Sequence, residues 1–165
     1  NIPFYPYFYV KDRFASFIFL LFVSFFVFYY PNTLGHPDNY IPANPLVTPV
    51  HIVPEWYFLP FYAILRSIPD KLGGVLAMGG AIAAWFTLPI LNTSEVRSTE
   101  FRPIFGFFYW FLIADFLLLG WIGQKPVEDP YILVGIVATI FYFVFFFVLV
   151  PSIGLVEKKL IRTKV

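Results

Sequence analysis

This chain of 165 residues contains no cysteine, a single methionine and only two histidines, His36 and His51. Without thiols, disulfides and thiolate metal sites are excluded, and the redox compartment cannot be read from cysteine usage. Charge is also scarce. Only 13% of residues are Asp, Glu, Lys or Arg, where a soluble domain carries about 25%. The net charge of +1 gives no case for nucleic-acid binding. Alternation of period two is missing from the apolar runs, which argues against a β-barrel. What remains is 59% hydrophobic, 23% aromatic, with a mean hydropathy of +0.76. That is the composition of a chain solvated by lipid.

About 20 apolar residues cross a bilayer as a helix. Four stretches qualify: 14–30, 72–91, 104–122 and 131–153. The sequence therefore predicts an all-α membrane protein with four transmembrane helices, read as one domain over 1–165. Asp115 is the only charged side chain within these spans. Intramembrane acids are costly, and the expectation for this one is a packed, hydrogen-bonded structural aspartate. Lys11, Arg13, Arg97, Arg102, Lys158, Lys159, Arg162 and Lys164 fall on one side of the membrane, and Arg66, Lys71 and Lys125 on the other. Eight against three places both termini on the inner side and the 31–71 connection outside. The chain opens at Asn1 without a methionine, which suggests a fragment, a processed piece or part of a longer chain. The 156–165 tail reads as an inner-surface anchor, and the run Phe141–Phe147 as lipid-facing or core packing.

The 31–71 connection carries the chemistry. Its first half holds Pro31, Pro37, Pro42, Pro45, Pro49 and Pro54, which force an extended, turning path. Its second half places Phe58, Phe61, Tyr62 and Leu65 at helical spacing. This predicts a short amphipathic interfacial helix starting near Glu55, able to roof a cavity between transmembrane helices. Pro54-Glu55-Trp56-Tyr57 sets one carboxylate among aromatics at that helix start. Such a group can exchange a proton with a ligand in an apolar pocket. The plainer and compatible reading is a carboxylate stabilising the first helical turn through the dipole. Tyr57, Phe58 and Tyr62 likewise suit an interfacial aromatic belt, and Lys11 with Asp12 suits a snorkelling pair at a helix end. His51 reads as loop packing rather than a proton carrier.

The ordered blocks Asn1–Phe8 with Lys11-Asp12, Asp38–Leu46, His51–Phe58, Tyr62–Pro69, Lys71–Val75, Phe101-Arg102-Pro103, Trp121-Ile122-Gly123 and Pro126-Val127-Glu128 resemble the C-terminal half of the cytochrome b family. That family is the core of ubiquinol–cytochrome c oxidoreductase, respiratory complex III, and the resemblance covers the whole chain. It implies that Glu55 hydrogen-bonds a quinol hydroxyl and carries away its proton. Ile52, Pro54, Tyr57, Phe58 and Tyr62 would line that quinol-oxidation pocket. Phe4, Lys11 and Asp12 match residues of a quinone-reduction pocket, and Lys71 lies where the Rieske iron–sulfur protein would dock. Ubiquinone would be the substrate. Two b-type haems would belong to the assembly, held by histidines of the N-terminal half rather than by this chain. The resemblance further implies a membrane-anchored c-type cytochrome as partner, a dimeric complex, and the mitochondrial inner membrane with both termini in the matrix. Alternatives are a non-catalytic structural membrane subunit, a transporter with a re-entrant loop, or a half of a photosynthetic cytochrome b–f complex like its subunit IV. The last has only three spans, and the fourth span here favours the respiratory form.

Overall fold

The computed structural model describes residues 2–49, 52–96 and 98–162, with no side-chain description at 161 and 162. The described residues are helical, without strands, and fall into two units, Asn1–Thr48 and Pro49–Val165. His51 and Arg97 lie outside the described residues.

The first unit is dominated by α1, Tyr7–Tyr29. Its 23 residues rise about 35 Å, enough to cross a bilayer. The helix starts seven residues before the expected Phe14, so Lys11 and Asp12 are inside it. None of its residues is buried within the unit. After it, a 3-10 turn spans Pro37–Tyr40. The N-cap His36 accepts from the Asp38 amide through Nδ1 at 3.3 Å, and that nitrogen lies 3.5 Å from Asp38 Oδ2.

The second unit is a bundle. A 3-10 turn, Trp56–Phe58, leads into the short helix α2, Leu59–Arg66. Then come α3, Lys71–Leu91, and α4, Pro103–Gly123. A final helix runs from Tyr131 as α5, Tyr131–Val144, through a π-turn at Phe145–Leu149 into α6, Val150–Arg162. Among the described residues, four helices are long and apolar enough to cross a membrane, matching the number the sequence predicts. The Asp70 carboxylate accepts from the Gly73 amide at 2.7 Å and so caps α3.

The π-turn was not legible in the phenylalanine run. Pro151 has no N–H and crowds the carbonyl one turn before it. The ladder widens just upstream, where the Val150 amide donates to the Phe145 carbonyl. Consecutive Phe145 and Phe146 are thereby both buried, against Tyr142, Leu112 and Ala84 in one core. The Tyr142 hydroxyl donates to the Ala81 carbonyl at 2.9 Å, tying α5 to α3.

The end of the bundle at the α3–α4 connection is locked by a buried ion pair. Arg102 Nε donates to Glu157 Oε2 at 2.7 Å, and Glu157 Oε1 accepts from the Phe105 amide at 3.0 Å. One carboxylate thus pairs a guanidinium and satisfies a first-turn amide of α4. The Arg102 guanidinium also lies 4.3 Å from the Phe105 ring centre. Lys158 pairs with Glu95 beside it. Up to Arg162, then, the tail is a docked helix as well as a basic segment.

Candidate functional site

Glu55 stands at the N-cap position of the Trp56–Phe58 turn and is half-buried. Its side chain makes no capping hydrogen bond there. Its carbonyl accepts from the Phe58 amide at 2.9 Å, closing the turn. Trp56 and Tyr57 meet edge to face at 5.6 Å, and Tyr57 and Phe58 at 4.9 Å. Ile52, Tyr57 and Phe58 are exposed, while Pro54 and Tyr62 are half-buried. The Tyr62 hydroxyl lies 3.5 Å from the Ile52 carbonyl, linking α2 back to the extended strand of chain before Glu55.

Helix α2 is what gives these residues a fixed place. It buries Leu59, Pro60, Ala63 and Ile64. Phe58, Phe61, Tyr62 and Leu65, whose spacing predicts the helix, are half-buried or exposed. The reason is steric. A β-carbon on Gly74 would sit 2.6 Å from the Leu65 carbonyl oxygen, and one on Gly123 would sit 2.5 Å from that of Leu59. The α2 backbone rests directly on α3 and α4, at glycines where no side chain intervenes, and so Leu59, Ala63 and Ile64 are held against them. On the α5 side, Thr139 donates to Ser67 Oγ at 2.9 Å, and Ser67 in turn donates to the Ala63 carbonyl at 2.8 Å. Arg66 Nη1 donates to the carbonyls of Lys125 at 2.8 Å and Gly123 at 3.3 Å. Its guanidinium also lies 5.4 Å from the Tyr62 ring centre.

A cavity of about 360 Å³ lies between this element and α4, lined by Trp56, Tyr57, Pro60, Phe116, Gly120 and Trp121 among others. The volume and apolar aromatic lining suit a small hydrophobic ligand. Of the predicted pocket residues, only Tyr57 lines it. The α4 contribution was missed in the sequence, where Phe116, Gly120 and Trp121 look like ordinary span residues. The other expected site residues stand elsewhere. Lys71 opens α3 and is exposed. Phe4, Lys11 and Asp12 are exposed in the first unit, where Phe4 stacks on Phe8 at 6.2 Å.

Asp115 is buried in α4, and its Oδ2 has no hydrogen-bond partner among the described residues. The expected hydrogen-bonded aspartate is therefore not met at that oxygen. No group of three His, Asp or Glu able to hold a metal occurs among the described residues.

Residues 42–143 match the family model described as cytochrome b (C-terminal)/b6/petD. Cytochrome b of Phytophthora megasperma is 62% identical over 98% of this chain, that of Chondrus crispus 57% over 100%, and that of the bacterium Rhodospirillum rubrum 62% over 96%. The chain spans 42%, 43% and 39% of those relatives' lengths. A chain of a hyperthermophilic respiratory complex III superposes with a TM-score of 0.86 and 34% identity, covering 94% of this chain and 39% of that one.

Proposed function

This chain belongs to the cytochrome b family, matching its C-terminal part, and from that premise we propose that its outer loop and α2 form much of a quinol-oxidation pocket in a quinol–cytochrome c reductase. The observation that carries the reading is Glu55: a half-buried carboxylate between Pro54 and the exposed Tyr57–Phe58 pair, at the start of an element seated against three helices. Ile52, Pro54, Tyr57, Phe58 and Tyr62 offer flat apolar walls for a quinone ring, and few polar groups are needed to orient it. Glu55 accepts a hydrogen bond from one quinol hydroxyl and takes its proton as the electrons leave. Oxidation of quinol to quinone releases two protons and two electrons. The protons go to the outer aqueous phase and the electrons to redox groups held outside this chain.

In the same reading the substrate is ubiquinol. Phe4, Lys11 and Asp12 contribute to a quinone-reduction pocket near the inner face, with Asp12 supplying a proton. Two b-type haems are ligated by the N-terminal half of the protein. The Rieske iron–sulfur protein docks near Lys71, a membrane-anchored c-type cytochrome completes a dimeric complex, and the membrane is the mitochondrial inner membrane with both termini in the matrix. Neutralising the proton acceptor separates this reading from a purely structural subunit. Glu55→Gln in the assembled complex should lower quinol oxidation by about 10²-fold or more, the scale of a lost general base, with subunit composition and haem content unchanged. Wild-type turnover in that variant would remove Glu55 from the chemistry.

A further inference from the structure

Tyr62 and Arg66 are four residues apart on α2, so their side chains stand one turn from each other on the same face. Arg66 Nη1 donates to the Lys125 carbonyl at 2.8 Å and to the Gly123 carbonyl at 3.3 Å. The Tyr62 hydroxyl donates to the Ile52 carbonyl at 3.5 Å. Between these two anchorages, the Arg66 guanidinium lies 5.4 Å from the Tyr62 ring centre, within cation–π range. The contacts form one line, from the turn after α4 through Arg66 and Tyr62 to the segment that leads into Glu55.

That segment is short and stiff. Val53 precedes a proline, which biases it toward extended backbone, and the Pro54 ring fixes its own φ. Glu55 is extended as well, with φ −58° and ψ 153°. On its downstream side the Glu55 carbonyl accepts from the Phe58 amide at 2.9 Å. Its backbone is thus held from both directions, and the upstream tether is Tyr62. A hydroxyl bond of 3.5 Å is long, so its hold depends on the ring being kept in place. The ring is half-buried and lies outside the packed face of Leu59, Pro60, Ala63 and Ile64. The Arg66 guanidinium restrains it from one side, and the two carbonyls in turn fix the plane of the guanidinium.

We propose that Arg66 is a positioning residue for Glu55, acting through the Tyr62 ring and the Ile52 carbonyl. One guanidinium then has two separable roles: its carbonyl bonds fasten α2, and its ring contact places the segment before Glu55. The consequence for turnover rests on the quinol-oxidation reading; the placement of the segment does not.

The test uses the assembled complex carrying Arg66→Gln, Arg66→Lys or Tyr62→Phe. Cryo-electron microscopy reads the path of residues 52–55 without reference to turnover. In Arg66→Gln and in Tyr62→Phe that segment should shift away from α2 or lose defined density, while α2 keeps its seats on Gly74 and Gly123. A segment unmoved in both variants would overturn the proposal, whatever their activity. If Arg66→Gln fails to assemble, Tyr62→Phe, which keeps the ring and loses only the hydroxyl, decides alone. Quinol oxidation gives the second readout. Each single variant should lower it by about tenfold, inside the roughly 10²-fold that a misplacement of about 1 Å can cost. The double variant should lose no more than the worse single one, since both changes break the same line of contacts. Simple additivity would make Arg66 a fastener of α2 alone and would overturn the proposal. Arg66→Lys keeps the charge but not the planar fork that bonds the carbonyls while lying against the ring, so its turnover should recover only in part. Wild-type turnover in Glu55→Gln would remove the quinol reading, while a displaced segment in Arg66→Gln would still support the positioning.

Discussion

Arg66 Nη1 lies 2.8 Å from the Lys125 carbonyl oxygen, so the C-terminal end of α2 is fastened to the turn that leaves α4. The same nitrogen reaches the Gly123 carbonyl at 3.3 Å. A charged donor bridging two carbonyls that the helix itself leaves unsatisfied is a strong use of one side chain. Everything proposed for Glu55 depends on α2 staying where this contact holds it.

Replacing Arg66 by alanine should therefore destabilise the end of the bundle that α2 closes by about 1.5–3 kcal/mol, the range for hydrogen bonds to charged groups. Thermal unfolding of the purified complex should begin at lower temperature, and quinol oxidation should fall because α2 loosens. Unchanged melting and turnover would show that the glycine seats suffice without Arg66.

Gly123→Ala should be far more damaging than alanine at Gly79 or Gly106. The added carbon at Gly123 would lie 2.5 Å from the Leu59 carbonyl oxygen, whereas at Gly79 and Gly106 nothing lies within 4 Å. Overpacking against backbone costs about 1–3 kcal/mol or more. Membrane yield and melting temperature of the three variants, compared side by side, provide the measurement, with Gly79→Ala and Gly106→Ala near wild type.

Glu157→Ala should unlock the end of the bundle at the α3–α4 connection. It leaves Arg102 charged and buried, at 3% exposure, without its carboxylate, and removes the acceptor of the Phe105 amide. Breaking a buried pair by removing one partner costs about 3–5 kcal/mol. Removing both, in Arg102→Met with Glu157→Leu, should recover part of that loss. Urea unfolding of the solubilised complex reads both, and strict additivity of the two changes would argue against coupling.

Tyr62→Ser should weaken binding of quinol-site inhibitors by about tenfold or more, since an aromatic wall with an offset contact contributes about 0.5–1.5 kcal/mol beyond its area. Assembly should persist, because Tyr62 is outside the buried face of α2. If inhibition and turnover were both unaffected, Tyr62 would have no part in the pocket.

Much of this protein was readable before any coordinates. Span number followed from hydrophobic run length, because a bilayer of fixed thickness demands about 20 apolar residues whatever their arrangement. The family followed from ordered blocks such as Pro54-Glu55-Trp56-Tyr57 and Arg66-Ser67-Ile68-Pro69. Periodicity marked α2 as a helix through Phe58, Phe61, Tyr62 and Leu65, whereas the residues it buries are Leu59, Pro60, Ala63 and Ile64. In lipid the outer face of a helix is as apolar as its packed face, so hydrophobicity marks neither. Small residues mark contact instead, as Gly74 and Gly123 do.

The sequence by itself determined that the chain is helical, that it spans a membrane four times, and that Glu55 stands among aromatics in a proline-rich connection. Composition and local spacing suffice for these, since each depends on a residue and its near neighbours. Only the tertiary structure decided that Glu157 meets Arg102 from 55 residues away, that α2 rests on two glycines, and that Asp115 is buried. Those depend on which surfaces come together, and contact between distant segments is set by packing rather than by pattern.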